Sequence, residues 1–134
     1  MSLNINILLI DDVEYSREIL RAALLNCINA QSISIKAEIY HSSTGQSILQ
    51  QIKSKKIDLV YLDINLPDIS GIDVLKNIRV EFPKLMVIMV SGENSSLNVK
   101  NAIANGADGF IVKPFNSQRV DDSLKNYLKK HKKV

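Results

Sequence analysis

Three apolar runs in this 134-residue chain stop abruptly at groups that carry chemistry. Ile5–Ile10 (INILLI) ends on Asp11-Asp12, Ile57–Leu62 (IDLVYL) on Asp63, and Leu85–Val90 (LMVIMV) on Ser91-Gly92. Runs of this length with little alternation are the pattern of strands buried on both faces. Such strands occur in parallel sheets whose two faces are covered by helices, and this restricts the chain to few folds.

Helical periodicity fills the intervals. Leu20, Ala23, Leu24 and Cys27 recur at i, i+3, i+4 and i+7, one face of a helix. A second helix is predicted near Thr44–Lys55 with Ile48 and Ile52 inward, and a third carries Ile72, Leu75 and Ile78. A fourth is predicted over about Ser95–Asn105, stopping before Gly106 as a C-cap. The last begins near Ser117 and presents Val120, Leu124, Tyr127 and Leu128. Two further strands complete the series. Ile33–Tyr40 alternates apolar and polar residues, so one of its faces is dry. Phe110–Val112 is short and ends at Lys113-Pro114.

The order is therefore strand, helix, repeated five times, and it consumes nearly all of the chain. The expected fold is α/β: a flavodoxin-like, doubly wound, parallel five-stranded sheet with helices on both faces. The continuous apolar strands 1, 3 and 4 belong in the centre. The alternating strand 2 and the short strand 5 suit the edges, which gives the order 2-1-3-4-5. Composition agrees with one domain that needs no staple: 46% hydrophobic, net charge +3, and a single cysteine, Cys27, expected as a buried structural thiol. No apolar run approaches the roughly 18 residues of a membrane span, and the N-terminus has no signal-peptide pattern. A cytoplasmic location is the expectation.

In the 2-1-3-4-5 order the connection reverses between strands 1 and 3, and ligands of such sheets bind beyond the carboxyl ends of the strands at that point. Asp11, Asp12, Asp63, Ser91 and Lys113 would all converge there. Clustered carboxylates repel one another unless a cation neutralises them. An all-oxygen carboxylate site suits Mg²⁺, which favours one or two carboxylates with water and phosphate oxygens. An aspartate can act as a nucleophile toward phosphorus, while Lys113 and Ser91 would meet the phosphoryl oxygens. Taken singly, each of these residues also reads as an ordinary turn or cap residue. Their joint placement at four strand ends is what points to a site.

The segments LLIDDVEYSR, VYLDINLPDISGID, VSGE and ADGFIVKPF resemble those of response-regulator receiver domains, the phosphoacceptor modules of two-component and phosphorelay signalling. The resemblance spans one domain over residues 4–131. It implies that Asp63 is the phosphoacceptor and that Asp11, Asp12, Asp63 and the backbone carbonyl of Asn65 hold Mg²⁺. It implies that Ser91 and Lys113 contact the phosphoryl group, that Phe110 is the switching aromatic, and that the Lys113–Pro114 bond is cis. Asn65 and Glu93 fall at variable positions that tune dephosphorylation. Their polar pair is similar to that of CheY-like chemotaxis regulators, which implies a phosphoryl lifetime of minutes or less.

The resemblance also implies partners. A sensor histidine kinase or histidine phosphotransfer protein would supply the phosphoryl group. A downstream protein would dock on the helix 4–strand 5–helix 5 face, which also offers a route to a homodimer. The domain would signal rather than turn over a substrate. Two other readings use the same residues. A haloacid-dehalogenase-type phosphohydrolase would use Asp63 as nucleophile, but its second acid is replaced by Asn65. A flavin-phosphate binder would need a phosphate-cradling loop after strand 1, where Asp11-Asp12 would repel phosphate. The basic end (Lys125, Lys129, Lys130, His131, Lys132, Lys133) reads as cations complementing a helix dipole or as a docking aid for an acidic partner. Tyr127 is its only aromatic, which disfavours nucleic acid. His41 is expected in a surface loop.

Overall fold

The computed structural model describes residues 2–92 and 96–131. Strands β1 (Ser2–Ile10), β2 (Ser34–Ser42), β3 (Leu59–Asp63), β4 (Met86–Ser91) and β5 (Gly109–Val112) alternate with helices α1 (Glu14–Asn29), α2 (Ile48–Ser54), α3 (Gly71–Glu81), α4 (Ser96–Ala104) and α5 (Ser117–His131). The strands form one parallel sheet in the order β2-β1-β3-β4-β5. The continuous apolar runs are the central strands, and every residue of β3 and β4 is buried. Strand β2 alternates exposed and half-buried residues at the edge, as its period of two requires.

Each central strand points alternate side chains to opposite faces, and each face has its own core. Leu20, Leu24 and Ile28 of α1 and Val120, Leu124 and Leu128 of α5 cover Ile5, Ile7 and Leu9. Ile48 and Ile52 of α2, Leu75 and Ile78 of α3 and Ala102 of α4 cover Leu8, Ile10, Val60 and Val87 on the other face. Cys27 lies buried in the first core, and burial together with Asp121 raises its thiol pKa. Tyr61 crosses that core. Its hydroxyl donates to Ser123 Oγ at 2.6 Å, because the serine's own hydrogen goes to the Val120 carbonyl at 2.7 Å. Among the described residues no helix is long and apolar enough to cross a membrane.

Some boundaries differ from those predicted and others fall where expected. Helix α2 starts at Ile48 rather than near Thr44. Gly45 packs so closely on Ile69 that an added Cβ would lie 2.2 Å from its Cγ2, and Ser47 is left-handed at φ 62°, so residues 43–47 are a turn. Strand β2 runs on through His41, which pairs in register with Leu9, so this residue is on an edge strand and not in a loop. Asp58, predicted within strand 3, instead precedes it: its carboxylate accepts from the Asn6 N–H at 2.8 Å. Helix α5 begins at Ser117 and is capped by Asn116, whose side-chain oxygen accepts the Gln118 N–H at 2.8 Å. Helix α4 gives way to Gly106 at φ +98°, the left-handed C-terminal position anticipated for that glycine.

Arg79 ties the amino edge of this sheet together. Its guanidinium donates to the carbonyls of Gly106 (2.9 Å), Leu85 (2.6 Å) and Phe82 (3.3 Å) and pairs with Asp108 at 2.8 Å. Asp108 also accepts the Val87 N–H at 2.9 Å. One planar donor thus joins the end of α3 to the entries of β4 and β5. Replacing Arg79 by alanine leaves three carbonyls and a carboxylate short of donors. Urea unfolding of Arg79→Ala is expected to show a loss of about 2–3 kcal/mol, with Arg79→Lys recovering less than half because an ammonium lacks the planar fork.

Candidate functional site

Parallel register brings the strand ends to one edge. Ile10 aligns with Leu62, Asp63 with Val90, and Ser91 with Val112, so the residues that follow each strand meet in one crevice. Asp11, Asp63 and Ser91 are buried there at 6%, 4% and 0% exposure, while Asp12 is exposed. The carboxylates of Asp11, Asp12 and Asp63 present oxygens that all lie within 4.8 Å of one another.

Lys113, one residue past β5, reaches across the crevice. Its ammonium lies 2.7 Å from Asp11 Oδ2 and 3.1 Å from Asp63 Oδ2. Its backbone N–H donates to the Ser91 carbonyl at 2.9 Å, which continues the β4–β5 ladder past its last pair. The next peptide bond, Lys113–Pro114, is cis. The second oxygen of each acid is engaged locally. Asp11 Oδ1 accepts the Val13 N–H at 2.9 Å and Asp63 Oδ1 accepts the Asn65 N–H at 3.1 Å. Phe110 lies half-buried on β5 against the core of the α2, α3 and α4 face. Asn65 is exposed just past Asp63. Glu93 lies outside the described residues.

The crevice holds more negative charge than it neutralises: three carboxylates face one ammonium. Burial pushes the Asp63 carboxyl above its ordinary pKa, and Asp11 adds to this. The Asn65 N–H and Lys113 pull the other way without cancelling it. Burial opposes the charge of Lys113, yet its bonds to Asp11 and Asp63 hold the ammonium above its usual range. Clustered hard oxygens with an uncompensated charge fit a divalent cation.

The structure adds two residues that were not singled out from the sequence. Arg17, from the first turns of α1, donates through Nη1 to the Asp11 carbonyl. Gly71 opens α3 directly against the strand end, where an added Cβ would lie 2.1 Å from the Asp63 carbonyl oxygen. The preceding residue, Ser70, caps α3 by accepting the Ile72 N–H at 3.2 Å, and nothing local in the sequence announces that the missing side chain of Gly71 makes room for another segment.

The model for the response regulator receiver domain matches residues 7–125. The chain belongs to this family. It is a CheY-like receiver domain of two-component signalling, 30% identical over 125 residues to chemotaxis protein CheY of Listeria monocytogenes, covering 93% of this chain and 99% of that one. It is 33% identical to CheY-3 of Vibrio cholerae, over 90% of this chain and 89% of that one. Among solved structures, the signal receiver domain of a Luxo repressor protein from Vibrio parahaemolyticus superposes with a TM-score of 0.77 at 32% identity, covering 97% of this chain and 94% of that one. A response regulator from Chloroflexus aurantiacus shares the fold with a TM-score of 0.81 at 24% identity, covering 94% and 98%.

Two outcomes follow from this geometry. Gly71→Ala must displace α3 or the end of β3, and urea unfolding should show a loss of about 3 kcal/mol. Asp63→Asn should act oppositely. The Asp63 pKa is raised on folding, so the folded state binds the proton more tightly and stability falls as pH climbs from about 4 through the raised value. In metal-free buffer, Asp63→Asn should have a higher urea midpoint at neutral pH and a shallower decline over that interval.

Proposed function

We propose that Asp63 is the phosphoacceptor of this receiver domain, taken over residues 4–131, and that the reaction depends on Mg²⁺. An oxygen of the Asp63 carboxylate attacks the phosphorus of a phosphohistidine on a sensor histidine kinase or histidine phosphotransfer protein. The new O–P bond makes an acyl phosphate, and the P–N bond breaks with its electron pair returning to the imidazole. The observation that carries this reading is the Lys113 ammonium shared between Asp63 and Asp11 at the sheet's carboxyl edge. Asp11, Asp12 and Asp63, with the Asn65 carbonyl, would hold the ion, which supplies positive charge to phosphoryl oxygens in transfer. Lys113 meets a phosphoryl oxygen and leaves Asp63 less repelled by the incoming group.

The acyl phosphate biases a two-state equilibrium. Ser91 turns toward the phosphoryl group, Phe110 moves into the space released, and the α4–β5–α5 face changes shape for a downstream protein or a second copy. The shift is limited to the difference in interaction between the two states. This face carries a groove of about 410 Å³ bordered by Val99, Phe110, Val112, Pro114 and Arg119. Leu97, Ile103 and Val112 are exposed on the same elements. The domain acts in the cytoplasm as a signalling module whose only chemistry is its own phosphorylation and dephosphorylation. Nucleic acid and membrane are not its direct partners. Asn65 and Gly92 are both exposed beside the site, so water has access to it, which favours a phosphoryl lifetime of minutes; Glu93 is the second residue of the tuning pair.

Incubation with acetyl phosphate and Mg²⁺, followed by intact-mass measurement, should give one phosphoryl adduct that decays within minutes. Asp63→Asn should give none, and chelation with EDTA should prevent labelling of the native chain. An adduct that persists in Asp63→Asn, or steady turnover of phosphomonoesters, overturns the assignment. A lifetime of hours overturns the tuning role given to Asn65 and Glu93.

A further inference from the structure

Each of the four polar atoms of Asp11 has a partner. Its N–H donates to the Ser42 carbonyl at 3.0 Å, Oδ1 accepts the Val13 N–H at 2.9 Å, and Oδ2 takes the Lys113 ammonium at 2.7 Å. Its carbonyl oxygen accepts from Arg17 Nη1. That last atom belongs to the peptide plane linking Asp11 to Asp12, so gripping it fixes the direction in which the Asp12 backbone departs. Asp12 itself is exposed. The Val13 N–H on Asp11 Oδ1 closes a turn around Asp12 from one side, and the Arg17 bond to the Asp11 carbonyl is a second tie on the same short segment, made by a side chain of α1.

We propose that Arg17 is a positioning residue for the divalent ion. By holding the Asp11–Asp12 peptide plane from α1, it presets the Asp12 carboxylate against those of Asp11 and Asp63. This rests on the Mg²⁺ reading given above. Two effects of the same residue on the ion have opposite signs. As a cation near the acids, Arg17 repels Mg²⁺; as a donor to the Asp11 carbonyl, it orders two of the ligands. Outer-sphere partners of metal ligands commonly change affinity by about 10–100-fold, so orientation is expected to win.

The test is calorimetric titration of Mg²⁺ into the native chain, Arg17→Met and Arg17→Lys, with urea unfolding of each in EDTA. Met keeps the stem and removes both donor and charge; Lys keeps the charge and a single donor nitrogen without the planar fork. Arg17→Met should bind Mg²⁺ about tenfold more weakly despite losing a positive charge, with Arg17→Lys in between. Arg17→Met that binds equally or more tightly overturns the role, as does a lowered urea midpoint with unchanged Mg²⁺ affinity. If Met prevents folding, Arg17→Lys alone decides: weaker uptake by the folded variant supports the role and unchanged uptake overturns it. No uptake by the native chain overturns the Mg²⁺ reading itself, which separates the two failures.

Discussion

The shared ammonium of Lys113 is the interaction on which the site depends. It lies between two buried carboxylates that come from β1 and β3, and it comes from beyond β5, two strands away from β3 across the sheet. No local segment can assemble these three groups. Only the parallel register, which carries β1, β3, β4 and β5 to a common edge, sets the ammonium at 2.7 and 3.1 Å from its partners. Burial makes the pairing consequential, since charges out of water interact more strongly and cost more when left alone.

The same arrangement sets function against stability. The cores on the two faces of the sheet are apolar and buried, whereas its carboxyl edge gathers like charges that one lysine only partly offsets. Acids that repel one another in the resting domain are a poor choice for stability alone. In the proposed reaction a cation, or a phosphoryl group bound with one, would offset that repulsion. The opposite edge has a different character: Arg79 and Asp108 satisfy carbonyls and an N–H there, and the result is a tie between helix and strand entries. One end of the sheet gathers unbalanced charge and the other is tied by hydrogen bonds.

Much of this was legible in the chain. The apolar runs named the central strands because side chains buried on both faces must all be apolar. The alternation of Ile35, Ala37 and Ile39 named the edge strand for the complementary reason. The residues that end those runs named the crevice. The places where the reading failed share a cause. Helix α2 begins late because Gly45 packs on Ile69 of a distant loop, and His41 stays in the sheet because Leu9 of β1 continues to pair with it. Each is a contact between segments, and no local preference encodes it.

By itself, then, the sequence determined the five alternations of strand and helix, their order in the sheet and the residue types at the strand ends. Period and composition are local properties, and the hydrophobic effect acts on them in nearly any context. The tertiary structure alone decided how Asp11 is held at four atoms and why Gly71 has no side chain beside the Asp63 carbonyl. It also decided that Arg17 reaches back from α1 to the peptide between the two acids. The Ser42 and Lys113 contacts join segments far apart in the chain and exist only after the sheet has closed, whereas the Val13 and Arg17 contacts are local and depend on the orientation the chain takes between β1 and α1.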